Sequence, residues 1–473
     1  MELLNLLSSE IVVYGQTFEV SLNWIGKLIR LLVSSVGSVG VGIILFSIAL
    51  KVVVLPFDIY QRISMRKQNL KMKENKDKME KLQKQYANDK TMYNQKVMEM
   101  YKESGISMFS SCLPMILSLV IFIVAINAFN AYAQYANVQN YNTMVNAYNA
   151  EITSYCASVD DEYAEFNLET MTYTVEGETK TDYFVAVSSA DKFIDLYIPC
   201  EANIQDCKAY ALAYEGEYKY IIDTAKMDAA EQAGDIDLSE FVSEGEEDAG
   251  EKYKEFFYDK AQDAVVKAYT DEVFPRTSFI WIRNVWATDA SYKHPVLGYS
   301  DFSAEVSREE FTVGGNDEVS FGSVNGKTNA YKQETYNQVT GKLTTQKNQA
   351  NGFYVLIVLS IGTILLQQWV SMRSQKEQQK YSSVDGSSGS QQKMMLIIMT
   401  IMFAIFSFMY SAAFSIYMIM SNVLSLIFTL VINTLVDKAQ SKKEAEAFRV
   451  KYDHKYSAQK RQEKVANGKN KKK

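Results

Sequence analysis

The chain has 473 residues, 47% hydrophobic and 22% charged, with a formal net charge of -7. Two histidines, His294 and His454, exclude a histidine-built metal site and histidine acid–base chemistry. Four cysteines without CxxC spacing give no disulfide framework, and the acidic balance would argue against nucleic acid were the charge not segregated along the chain.

Taken in chain order, residues 1–36 form an outer segment. Its start, Met1 to Leu7, lacks the basic region of a signal peptide. Residues 20–33 place apolar side chains at helical spacing with Lys27 and Arg30 on the polar side, which predicts an amphipathic helix lying in the membrane interface, with an ordinary solvent-exposed helix as the other reading. Five apolar runs then follow, each of the length that crosses a bilayer: 37–57, 105–131, 353–372, 394–411 and 412–436. Five such runs exclude a soluble protein.

The segments between the runs carry the topology. Residues 58–104 hold twelve Lys or Arg against seven acids, and the tail 437–473 holds thirteen against five. Residues 132–352 reverse this, with 17 basic and 39 acidic residues. Basic segments stay in the cytosol. The expected arrangement is a multi-pass protein of the cell membrane with its N-terminus outside and its C-terminus in the cytosol. Segment 58–104 breaks once, at Ala87-Asn88-Asp89-Lys90, between two helical patterns. It predicts a cytosolic helical hairpin whose methionine stripe is either an adaptable contact surface or the packing between its own two helices. Residues 373–393, Ser- and Gly-rich, predict a cytosolic linker.

Several strings resemble the YidC/Oxa/Alb membrane protein insertases. Ile43 to Pro56 followed by Tyr60-Gln61-Arg62 is similar to that family's first core helix, as are Leu82-Gln83-Lys84-Gln85-Tyr86 and Met100-Tyr101-Lys102-Glu103-Ser104-Gly105 in the hairpin. Cys112-Leu113-Pro114, Gln367-Gln368-Trp369, and Tyr417 with Ser421-Asn422 resemble motifs of the later spans. Together the matches cover about half of the chain. The resemblance implies an α-helical polytopic membrane protein: a five-helix insertase core, a cytosolic hairpin and an inserted extracellular α+β domain. It also implies an insertase and folding chaperone rather than an enzyme, with no cofactor or metal. The chain departs from the family in the long 132–352 loop, in Met418 where relatives carry tryptophan, in Ser411 where they carry proline, and in Lys51 where they carry an intramembrane arginine.

A charge at membrane depth persists where it faces protein or water, although a lysine stem can also snorkel to the interface. With Lys51, the polar residues Ser118, Thr363, Gln367, Thr400, Ser407, Ser415 and Asn422 need a wet or paired environment. The resemblance implies a groove open to cytosol and lipid, with Lys51, Ser118, Thr363, Gln367, Thr400, Ser415 and Asn422 as the substrate-groove residues. Implied partners are nascent membrane proteins, membrane lipid, the Sec translocase, and the ribosome through the basic tail. Anionic headgroups or topology alone are the other readings of that tail.

Within the insertion, 171–198 reads as a β-hairpin, and 205–233 and 251–272 read as helices. The independent domain is expected over about 150–273, followed by an aromatic segment, Phe279-Ile280-Trp281-Ile282, suited to an interface. A surface receptor or adhesin displaying this acidic domain is the competing reading, but an anchor needs only one span and no intramembrane lysine.

Overall fold

In the computed structural model the described residues are 9–14, 22–105, 109–175, 178–216, 218–241, 249–306, 331–374 and 387–432, with 434–435, 438 and 449. In chain order the elements are β1 (Glu10–Ile11), α1 (Trp24–Val36), α2 (Val39–Glu74), α3 (Lys76–Gln85), α4 (Lys90–Glu103), α5 (Phe109–Ser154), β2 (Glu165–Val175), β3 (Glu178–Ser188), β4 (Ile194–Cys200) and α6 (Cys207–Ala213). They continue with β5 (Lys219–Ile222), α7 (Thr224–Ala233), α8 (Ala249–Ala268), α9 (Tyr299–Val306), α10 (Gln333–Val339), α11 (Val355–Ser374), α12 (Ser387–Met409) and α13 (Ala412–Ile432). The chain divides into two compact units: Met1–Val39 with Phe129–Phe353, and Gly40–Ala128 with Tyr354–Lys473.

The first unit is built on an antiparallel sheet of order β1-β5-β4-β3-β2. β2 and β3 pair from Glu165↔Ser188 to Val175↔Glu178, while β4 meets only Tyr183–Val187 of β3. The outer half of the β2–β3 hairpin is therefore a two-stranded ribbon. Along β4, Ile194, Leu196 and Ile198 are buried and alternate with Asp195 and Tyr197, the period of a strand with one covered face. That face joins one core with Tyr141, Tyr148 and Ile152 of α5 and Phe257, Ala261 and Val265 of α8. Lower on α5, Tyr141 packs at 4.7 Å from Phe302 and 4.9 Å from Tyr336, and the Tyr331 hydroxyl donates to Asn142 Oδ1 at 2.7 Å.

One local reading is corrected. Residues 205–233 are a helix, a strand and a second helix, because two aspartates cap separate starts. Asp206 Oδ1 accepts from Ala209 N at 2.9 Å, and Asp223 Oδ1 from the amides of Ala225 and Lys226 at 3.1 Å. Between them Tyr220-Ile221-Ile222, rich in β-formers, pairs with β4 on one side and β1 on the other. The strand β1 was not anticipated: Glu10↔Ile221 and Ile11↔Tyr220 bring the N-terminal segment into the sheet. Asn149 then clamps the following backbone, accepting from Tyr14 N at 3.0 Å and donating to Tyr14 O at 3.1 Å.

In the same unit, α1 starts where Asn23 Oδ1 accepts from Gly26 N at 2.8 Å and stops at Gly37 in the left-handed region, φ 69°. Ile29 is buried, Trp24 and Leu31 are exposed, and the Arg30 guanidinium lies 5.3 Å over the Tyr135 ring.

The second unit is helical. α2 runs unbroken from an apolar stretch into a charged one, through Pro56. At its end, α3 and α4 form the hairpin, turning at Ala87-Asn88 with Asp89 capping α4. Met79, Met100 and Tyr101 are buried together, with Leu82 and Val97 against them, and the Tyr101 hydroxyl lies 3.2 Å from Met79 Sδ. Of the two readings of the methionine stripe, internal packing accounts for Met79 and Met100, whereas Met92 is exposed. Asn75 Nδ2 donates to Lys71 O and Ser104 Oγ, both at 2.9 Å, tying the base of the hairpin.

Among the described residues, three helices are long and apolar enough to cross a membrane: Val39–Tyr60, Val355–Arg373 and Ala412–Ile432. The expected runs at 105–131 and 394–411 fall on helices α5 and α12. α12 begins at Ser387, so the last part of the expected 373–393 linker is helical, and residues 375–386 lie outside the described ones. α11 and α12 meet through Ser360 and Ser407, both buried, whose hydroxyls lie 3.0 Å apart. Phe122 on α5 packs at 4.6 Å from Phe403 and 5.7 Å from Phe414.

Candidate functional site: a polar groove between apolar helices

Four helices of the second unit, α2, α5, α11 and α13, with Phe403 of α12, line a cavity of about 340 Å³. Apolar side chains form much of its wall, but Ser47, Lys51 and Asp58 enter from α2, Gln367 and Gln368 from α11, and Tyr417 and Asn422 from α13. Lys51 Nζ lies 2.8 Å from Asp58 Oδ2, with the lysine side chain 13% exposed and the aspartate 31%. Seven residues are two turns of helix, so both groups project from one face. The rise between them is about 10 Å, so the two side chains reach toward each other along the axis. Lys51 thus stretches toward the charged end of α2, and its side chain lines the cavity.

The expected groove residues divide. Lys51, Gln367 and Asn422 line the cavity together. Thr363 joins them indirectly, since Asn422 Nδ2 donates to Thr363 Oγ1 at 3.4 Å. Thr400 acts one step back: its hydroxyl donates to Gln368 Oε1 at 2.8 Å and fixes that amide at the wall. Ser415 is buried but is not a lining residue, and its hydroxyl has no hydrogen-bond partner among the described residues. The Ser118 side chain lies outside the described residues.

Asp58 was missed as a site residue. The signal was its spacing of seven from Lys51, hidden because it stands one residue past the apolar run and is counted with the hairpin charges. Among the described residues no cluster of His, Cys, Asp or Glu could hold a metal ion.

Apolar spanning helices around a paired charge and several amides define an integral α-helical membrane protein with a polar groove. Comparison with known proteins carries this further: the family described as 60Kd inner membrane protein matches residues 31–171 and 274–440. The chain belongs to that family, the YidC/Oxa/Alb proteins.

The chain is similar to a protein named membrane protein insertase YidC from Caldanaerobacter subterraneus subsp. tengcongensis, 38% identical over 98 residues, 21% of this chain and 46% of that protein. Proteins of the same name from Fusobacterium nucleatum and Clostridium tetani are each 38% identical over 86 residues, 18% of this chain and 40% and 37% of theirs. The chain thus spans less than half the length of these relatives. No solved structure matches it. The family match omits residues 172–273, most of the domain expected over about 150–273.

Proposed function

We propose that this protein is a membrane protein insertase and folding chaperone. Five spans, the N-terminus outside and the basic tail in the cytosol, hold a groove open to cytosol and lipid. The observation that carries the reading is the Lys51–Asp58 pair with Gln367, Gln368 and Asn422 in a cavity walled by membrane-spanning helices. The name of the similar proteins, membrane protein insertase, supports it.

The physical problem is solvation. Each unpaired polar group of a client tail costs about 2–7 kcal/mol in hydrocarbon. A polar groove reaching into the bilayer shortens the apolar path, and amides and hydroxyls along it replace part of the lost water. Lys51 attracts an acidic client residue, which must exchange with Asp58 to reach the ammonium. The client's apolar helix then leaves sideways into lipid, and its burial there drives the process. No covalent bond changes, so no catalytic residue is required. Nascent membrane proteins and lipid are the direct partners, with the Sec translocase and the ribosome as further ones.

The test is depletion of the protein followed by protease protection of a small client with an acidic translocated tail. The tail should remain accessible on the cytosolic side. Undiminished translocation in depleted membranes would remove the insertase reading.

A further inference from the structure

Among the described residues, two that are not glycine have positive φ: Ile280 at 56° and Tyr354 at 63°. For a β-branched side chain this region is crowded, and glycine or asparagine normally fills it. Ile280 sits at the tip of a tight turn closed on both sides, Phe279 N donating to Ile282 O at 2.8 Å and Ile282 N to Phe279 O at 2.9 Å. Its side chain is 76% exposed. The protein thus holds an isoleucine against its backbone preference at a place where the fold gives it little to pack on. Such a residue points to a role outside the fold.

The position of the turn says what that role is. Asn351 Oδ1 accepts from Asn284 N at 2.7 Å, and Asn351 Nδ2 donates to the carbonyls of Asn284 and Thr288 at 2.9 Å. Asp289 Oδ1 accepts from Phe353 N at 2.8 Å. Gly352 permits this approach, since a Cβ there would meet Asp289 Oδ1 at 1.9 Å and Ile282 Cδ1 at 2.9 Å. Residues 351–353 directly precede a helix, Val355–Arg373, that is long and apolar enough to span the bilayer. Independently, Trp286 packs at 4.7 Å from Tyr132, the first residue after the apolar run 105–131. Both clamps therefore hold residues that border apolar helical runs along the chain. Phe353, 64% exposed, adds a second unburied apolar side chain beside the clamp.

We propose that the Phe279–Ile282 turn and Phe353 form an interfacial wedge, seated at the boundary of headgroups and acyl chains, with the lipid surface as its partner. The strained isoleucine is retained because its side chain is buried in lipid, and the Asn351 and Asp289 clamps tie the segment that carries it to residues 351–353. The proposal holds on either face of the membrane and does not depend on insertase activity.

The test uses full-length protein with Cys112, Cys156, Cys200 and Cys207 replaced by alanine. It carries one nitroxide label, at Ile280→Cys, in vesicles of phosphatidylethanolamine and phosphatidylglycerol. Relative access of oxygen and of a water-soluble nickel chelate reports depth. The oxygen preference at position 280 should exceed severalfold that of a label at Tyr163, which is 82% exposed on the same unit. Equal values would overturn the proposal. In a second protein, Ile280→Asn relieves the backbone and should melt no lower than the parent. A label at Phe353→Cys should then move toward water. A label that keeps its depth in the Ile280→Asn protein would also overturn the proposal.

Discussion

Lys51 and Asp58 face each other at 2.8 Å across two turns of one helix, inside a cavity lined by other spanning helices. The groove therefore contains its own counter-ion. At this distance the attraction is about 6 kcal/mol at an effective dielectric near 20, before desolvation is subtracted. Under the proposed function, a client carboxylate would gain only the difference between its own pairing with Lys51 and that of Asp58.

That difference orders the variants. Lys51→Arg should retain insertion, and Lys51→Ala should impair it, most for acidic tails, because Asp58 then stands unpaired and repels them. Asp58→Asn should raise insertion of acidic-tailed clients severalfold while leaving neutral ones unchanged. Adding Asp58→Asn to Lys51→Ala should recover part of the loss. Protease protection across a client series reads all four proteins. If Asp58→Asn is as selective as the parent, Asp58 does not compete with the client.

Three helices of spanning length were legible because apolar residues bunch in runs, and the hairpin turn because Ala87-Asn88-Asp89 interrupts two helical periods. Lys51 could be placed by register, and Gln367 and Asn422 were found beside it. What the sequence hid depends on distant partners. Two residues, Glu10 and Ile11, carry no strand period, and only pairing with β5 makes them one. The lysines, glutamates and alanines of 205–233 suggest a helix, and tertiary pairing of Tyr220-Ile221-Ile222 overrides that preference. The left-handed backbone of Ile280 contradicts its residue type and could not be read at all.

The sheet unit should lose stability as pH rises through the range of one carboxyl. Burial pushes Asp195 up to about 6, against the pull of the Lys226 ammonium 3.2 Å away. The folded protein therefore holds a proton that the unfolded chain releases near pH 4, so stability falls from pH 4 to 6 and then levels. With Asp195 only 16% exposed, the two-unit shift corresponds to about 3 kcal/mol. Asp195→Asn should melt higher than the parent at pH 7 and converge with it near pH 4. Parallel melting curves at both pH values would show that this carboxyl is not responsible.

Excising residues 156–273 and bridging the ends with a short flexible linker should leave client insertion intact. The family match skips 172–273 and resumes at 274, where the chain re-enters the segment clamped to Tyr132 and Asn351. The excision removes β5, so residues 9–14 lose their strand partner and should become protease-sensitive. Loss of insertion at normal protein level would assign the sheet domain a direct part.

The hydroxyls joining α11 to α12 should prove less costly to remove than to crowd. Ser360 and Ser407 lie 3.0 Å apart, but each hydroxyl also has a carbonyl of its own helix within reach of its single proton, Ile357 O at 2.8 Å and Phe403 O at 3.0 Å. Neither is stranded when the other is truncated. Interhelical hydrogen bonds in membranes average about 0.6 kcal/mol, so Ser407→Ala should lower stability by no more than about 1 kcal/mol. Ser360→Leu, by contrast, drives a branched side chain into a fully buried contact between helices, where overpacking costs about 1–3 kcal/mol or more. It should also displace α12 and with it Thr400, which holds Gln368 at the groove wall. Melting in detergent measures the first effect, and insertion of a client needing the groove measures the second. A Ser407→Ala protein as damaged as Ser360→Leu would mean that the hydroxyl pair itself, rather than close packing of small residues, holds the two helices together.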